Sequence, residues 1–321
     1  MLERNHHLVS NGDGWRLVLK QTVDEEHLDR ARRPVLLVPG YGMNAFLFGY
    51  HPEGLSLEDY LARDGFEVWS VNLRGQGGST PEGSTRPYGM AELSLVDLPA
   101  TVDFVRVTRR GHADRVDLVG CSLGGTLVYA YAALFGEENI GSIAALGAPL
   151  RWENVHPALK LAFSSPALIG ALRIKGSRTM AAMALPLLKK APWLLSMYLH
   201  PEIVDLSRPD MLARTVEDPR PELNREIAVW MREKDLTLRG RNLTESFRCV
   251  TRPLLCMLAN ADGIVPPKTA LSAYDACGAE TKDFLTVGTD RIKLAHADLF
   301  ISRHSQELVF EPLASWLKKQ S

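Results

Sequence analysis

Four cysteines are all the chain contains, Cys121, Cys249, Cys256 and Cys277. Their irregular spacing leaves no CxxC pair and excludes a disulfide framework, which points to a reducing cytoplasm. No window holds 18 uninterrupted apolar residues, so no membrane span is expected. The opening "MLERNHHLVSNGDGW" is polar and lacks the apolar core of a signal peptide. Charge of one sign is also missing. With 37 Lys and Arg against 38 Asp and Glu, the net charge is −1, which argues against nucleic acid as a partner. No internal repeat or low-complexity tract is visible. What remains is 45% hydrophobic and 23% charged across 321 residues, the balance of a globular enzyme. A chain of this length forms one large domain or two modest ones and buries roughly three quarters of its unfolded surface.

Periodicity divides the chain into two blocks. "HLVSNGDGWRLVLKQT" reads as a hairpin, with Trp15, Leu17 and Leu19 alternating after an Asn-Gly-Asp-Gly turn. "PVLLVPG", "FEVWSVN", "RVDLVG" and "SIAALGAP" read as buried strands. Between them lie helical patterns: "LSLEDYLARDG", closing on Gly65; "MAELSLVDLPATVDFVRVTRRG", which Pro99 should kink or split; and "LGGTLVYAYAALFG". The alternation resumes with the strand "RPLLCMLANAD", the helix "PPKTALSAYDACG", the strand "KDFLTVG" and the helix "SQELVFEPLASWLKKQ". This rhythm predicts a mostly parallel central sheet with helices on both faces. Residues 1–150 and 251–321 form that core, and 151–250 form a helical cap or lid without a clear strand. An insertion at the carboxyl edge of a parallel sheet sits over the ligand crevice.

One stretch carries the chemistry. "VDLVGCSLGGTLVYAYAAL" places Cys121 beside Ser122 between a buried strand and a helix. In a G-x-S-x-G elbow the nucleophile occupies a sharp strand-to-helix turn whose flanking positions have no room for side chains. Centred on Ser122, those positions are Gly120 and Gly124. Centred on Cys121 they are Val119 and Leu123, too bulky for the turn to close. Ser122 is the candidate nucleophile, and Cys121 a small buried hydrophobe. The loop lacks the Gly-Lys-Ser/Thr ending of a P-loop and is not G-x-G-x-x-G.

A serine hydroxyl needs a base, and the base an orienting acid, here in the chain order Ser, acid, His. Asp262, directly after "PLLCMLA", and His296, in the loop before the last helix, fit that order. Glu153 is the second choice for the acid. Asp298 reads as a helix-start residue, and His304 as a solvated surface group. A tetrahedral intermediate needs backbone donors for its oxyanion. These are expected from Leu123 and from Tyr41 in "PGYGMN", with Gly40 or Gly42 as the alternatives.

These motifs resemble the α/β-hydrolase family, in a serine esterase or lipase-like form. "HPEGLSLEDYLARDGFEVWSVNLRGQGGS" resembles the matching segment of acid lipases and related bacterial esterases. The elbow is similar to that of polyhydroxyalkanoate synthases, sharing Gly124, Gly125 and Thr126. Those synthases carry cysteine where this chain has Ser122, a departure that favours hydrolysis over chain-building transfer. The oxyanion loop reads Pro39-Gly40 where His-Gly is usual. Asn72 begins "NLRGQG" where Asp is usual, and Arg74 reads as a structural residue. The resemblance implies no cofactor and no metal.

The insert informs on substrate. Residues 151–200 carry Arg151, Lys160, Arg173, Lys175, Arg178, Lys189 and Lys190 against one acid, Glu153, a net +6 amid Leu, Met and Trp193. Basic amphipathic helices rest on anionic lipid, receive an anionic substrate head, or simply pack with their charges solvated. Apolar inner faces make an acyl pocket. The expected function is hydrolysis of carboxylic esters of apolar acyl groups, small-molecule or lipid, through an acyl-enzyme on Ser122. Acyl transfer on the same triad is the alternative, and a non-catalytic ligand sensor the third class. Peripheral membrane contact through the cap is an expectation, and the oligomeric state is not specified.

Overall fold

A computed structural model describes residues 1–83, 86–171, 175–188 and 195–321. Its strands in chain order are β1 Leu2–Ser10, β2 Trp15–Asp24, β3 Val35–Val38, β4 Val68–Asn72, β5 Thr80–Pro81 and β6 Val116–Cys121. They continue with β7 Ile140–Leu146, β8 Thr237–Leu238, β9 Arg241–Asn242, β10 Leu254–Ala259 and β11 Lys282–Val287. The main sheet runs β1-β2-β4-β3-β6-β7-β10-β11, with β5 paired to β2. From β4 to β11 every pairing is parallel, while β1, β2 and β5 add an antiparallel edge.

The first hairpin forms as its sequence predicts. Asn11 Oδ1 accepts from the N–H of Asp13 and Trp15 at 2.8 and 3.1 Å, and Gly12 and Gly14 take positive φ. Central strands are mostly apolar because both of their faces are covered, and the buried exceptions in β6 and β7 meet each other, Ser142 donating to Asp117 at 2.8 Å. Leu36, Val38 and Leu118 enter one hydrophobic layer; Val35, Leu37 and Val119 enter the opposite one. Each such fully buried side chain contributes roughly 1.5–3 kcal/mol.

Pro99 neither ends nor splits its helix. Met90–Glu92 and Leu98–Thr108 are joined by a π-helical turn over Leu93–Asp97. That wider turn lies where the proline ring would otherwise crowd the carbonyl four residues back. Buried Asp97 from the turn holds the Arg74 guanidinium at 2.7 Å, and Asp13 holds it at 2.8 Å. Arg74 therefore ties three loops together.

The insert between β7 and β10 is mainly helical, with segments Pro157–Ala162, Pro166–Ala171, Ser177–Leu188, Pro209–Ala213 and Pro221–Glu233. Pro157, Pro166, Pro209 and Pro221 each start a helix, where a missing N–H costs nothing. No clear strand is legible in this stretch of sequence, yet β8 and β9 form a hairpin. Arg239 and Gly240 supply its two-residue turn, both with positive φ. Among the described residues no helix is long and apolar enough to cross a membrane.

Candidate active site

β3, β6 and β7 end within one residue of one another and β10 runs two residues further, so the loops that follow them converge at the carboxyl edge of the sheet. At the end of β6, Ser122 turns the chain with φ 52 and ψ −125, a conformation that costs a non-glycine residue about 1–3 kcal/mol. A Cβ at Gly124 would overlap the Val38 carbonyl oxygen, and one at Gly120 would overlap Gly125. The crowding that demands glycine thus comes from neighbouring β3 as well as from the bend itself. Gly40 meets the elbow from the other side: a Cβ there would stand 2.9 Å from Ser122 Cβ. Cys121 is buried, and burial pushes its thiol far above the ordinary range, so it holds no thiolate at neutral pH.

Asp262 and His296 meet as a pair. Oδ2 of Asp262 lies 2.7 Å from His296 Nδ1, while Oδ1 accepts from the N–H of Ile264 and Val265 at 2.8 Å each. The carboxylate is therefore fixed by its own loop, and Nε2 is the ring nitrogen left for other work. Among the described residues the Ser122 hydroxyl has no hydrogen-bond partner, although it lines the same cavity as the ring. Such contacts are often long before substrate binds and tighten in the complex. Glu153, the other carboxylate considered, is held by Arg151 at 3.0 Å.

Three positioning features were not legible beforehand. Gly147, with φ +58 at the end of β7, has no side chain to separate it from the His296 ring and Asp262. Asn260 braces the long loop before His296, donating to the carbonyls of Thr289 and Ile292 and accepting from Leu294 N–H. The third is a clip from the insert. Met197 O accepts from Gly263 N–H at 3.1 Å, and Tyr198 O accepts from Ala297 N–H at 2.7 Å. His200 completes it with Nδ1 2.7 Å from Asp298. Met197–His200 thereby fastens the loops of Asp262 and His296 together. Asp298 does begin a short helix, but its buried carboxylate accepts from Ala295 N–H and from His200 instead of capping that helix. His304 is half-buried just ahead of the last helix.

The cavity over Ser122 measures about 280 Å³. Core loops contribute Tyr41, Gly42, Leu123, Ile264, Val265 and His296; the insert contributes Trp152, Leu159, Phe163, Ile227, Trp230 and Met231. No Lys, Arg, Asp or Glu is among its described lining. Leu123 opens the helix Leu123–Ala130, where first-turn N–H groups lack intrahelical partners and the dipole favours negative charge. Tyr41 donates its hydroxyl to Asn224, and burial pushes the phenol up to about 12. Of the insert cations, Arg151 pairs with Glu153 and Asp235, and Arg178 with Glu217. Arg173, Lys189, Lys190 and Trp193 lie outside the described residues.

Residues 33–284 match the model of the alpha/beta hydrolase fold, more than half of the chain. The chain belongs to the α/β-hydrolase fold family. No curated protein sequence matches it. Among solved structures it is similar to a thermophilic esterase from Thermogutta terrifontis, at 17% identity and TM-score 0.64 over 99% of each chain. It is also similar to the 2-hydroxy-6-oxo-6-phenylhexa-2,4-dienoate hydrolase of Rhodococcus sp. strain RHA1. That match has 14% identity and TM-score 0.65, covering 100% of this chain and 99% of that one. An esterase from Exiguobacterium antarcticum matches at 17% identity and TM-score 0.64, over 98% of this chain and 100% of the other.

Proposed function

We propose that the protein is a serine hydrolase that cleaves carboxylic esters of apolar acyl groups. One observation carries the reading: a strained Ser122 and the ring of an Asp262–His296 pair open onto one uncharged cavity. His296 Nε2 takes the proton as Ser122 Oγ attacks the ester carbonyl, and Asp262 holds the ring and steadies its positive charge. The N–H groups of Leu123 and Tyr41 receive the oxyanion. Collapse of that intermediate expels the alcohol, which takes the proton from His296. Water then repeats the sequence on the acyl-serine, releasing acid and free Ser122.

The apolar walls favour an apolar stretch of acyl chain next to the ester, since desolvating a charge within this cavity would go uncompensated. Residues 151–250 act as the cap that supplies half of the cavity's described lining residues. A fluorophosphonate probe tests the reading: it should label Ser122 and fail on Ser122→Ala. A label on Cys121, or none on folded protein, would overturn the assignment. Product partition with an added alcohol acceptor decides hydrolysis against transfer, and a dominant transfer product in water would make the protein an acyltransferase.

A further inference from the structure

A second hollow of about 540 Å³ backs onto the apolar cavity, and Trp152, Phe163 and Met231 line both. Its charge is one-sided. Lys160, Arg232 and Lys234 border it, against Glu153 as the one acid in its described lining. Glu153 is already held by Arg151 at 3.0 Å, and Arg232 by Glu233 at 2.9 Å. Among the described residues neither Lys160 nor Lys234 pairs with a carboxylate.

Lys234 adds an independent observation. It follows the helix Pro221–Glu233 with φ 66 and ψ −40, where a side chain is strained and glycine is not. The described residues hold two other non-glycine residues with positive φ, Ser122 in the elbow and Arg239 in its hairpin turn. The conformation of Lys234 is enforced from outside. Its carbonyl accepts from Trp152 N–H at 3.0 Å, and the next residue, Asp235, is bridged to Arg151 at 3.2 Å. Strain kept in place by its surroundings, where the relaxed residue would delete a cation, marks a side chain with a use.

We propose that this hollow is the subsite for an anionic far end of the substrate. The substrate class is then an ester whose acyl chain crosses the apolar cavity and ends in a carboxylate beside Lys160 and Lys234. This rests on the serine-esterase reading and adds a charge preference to it.

The test compares p-nitrophenyl half-esters of straight-chain dicarboxylic acids with the same compounds capped as methyl esters. The free carboxylate should raise kcat/KM about threefold to tenfold, the range of an exposed ion pair or two, and added salt should shrink the ratio. Lys234→Gly should bring the ratio towards one without lowering Tm, because it removes strain along with charge. Lys160→Ala should move the ratio the same way. Arg239→Gly, which deletes a cation and relieves strain in the hairpin turn, should leave it unchanged. A capped ester turned over as well as the free acid by the unsubstituted enzyme overturns the subsite. So does a ratio that survives both lysine substitutions. Turnover of neither compound by folded protein overturns the esterase reading, and the subsite with it.

Discussion

Gly147 packs against His296 so closely that a methyl group on it would stand 3.1 Å from Cε1 of the ring and 3.2 Å from the Asp262 carboxylate. Its φ of +58 also suits glycine alone. Gly147→Ala should therefore displace the imidazole and lower kcat on the order of a hundredfold. The accompanying stability loss should be only about 1–2 kcal/mol. Ester turnover measured beside thermal denaturation checks this, and full kcat in the variant would show that the ring does not depend on the contact.

Asp262→Asn should lower kcat by roughly a thousandfold to ten-thousandfold, because an amide cannot stabilise the charged ring. The fold should survive, since the side-chain oxygen can still accept from Ile264 and Val265 N–H. Steady-state kinetics and circular dichroism read the two halves of the expectation. Retained activity would send the search for the acid to Glu153.

His200 acts through Asp298 and the clip, so its effect belongs in kcat rather than KM. His200→Ala should lower turnover per fluorophosphonate-reactive serine about tenfold. His200→Asn, which keeps a donor for the carboxylate, should restore most of it. A drop confined to Tm and to the labelled fraction would mean the pair only holds the fold.

His51 gives the fold a predictable pH response. Its Nδ1 accepts from Glu53 and Gly54 N–H at 3.1 and 2.8 Å, and Nε2 lies 3.0 Å from Ser302 O. Burial lowers its pKa from the ordinary 6.5, and protonation would break the bonds to Nδ1. Its contribution is full above pH 6.5 and is lost as pH falls below it, because the unfolded chain takes the proton first. For a single proton the loss stays below about 1.4 kcal/mol per pH unit. Denaturation midpoints across that window should slope more steeply for the native chain than for His51→Gln.

The sheet was legible because strands buried on both faces are predominantly apolar, as "VLLV" and "LLCMLA" are. The elbow was legible because two glycines flank Ser122 at the spacing a sharp bend requires. Asp262 and His296 followed from chain order after their strands. What stayed hidden depends on partners distant in sequence. Nothing near Gly147 announces a ring contributed from position 296. The clip joins residues 66 to 99 positions apart, beyond the reach of any local periodicity. The insert's cations looked like a free patch until Arg151 and Arg178 found acids at Asp235 and Glu217. Lys234 carries no signal in sequence, because a lysine after a helix reads as an ordinary last-turn charge.

Since Met197–His200 is stitched to both Gly263 and Ala297, the insert is not a detachable accessory. A trimmed version lacking residues 151–250, or a chimera receiving a foreign insert, would free the loops that carry Asp262 and His296. Any redesign of the insert should therefore leave the Met197–His200 segment native.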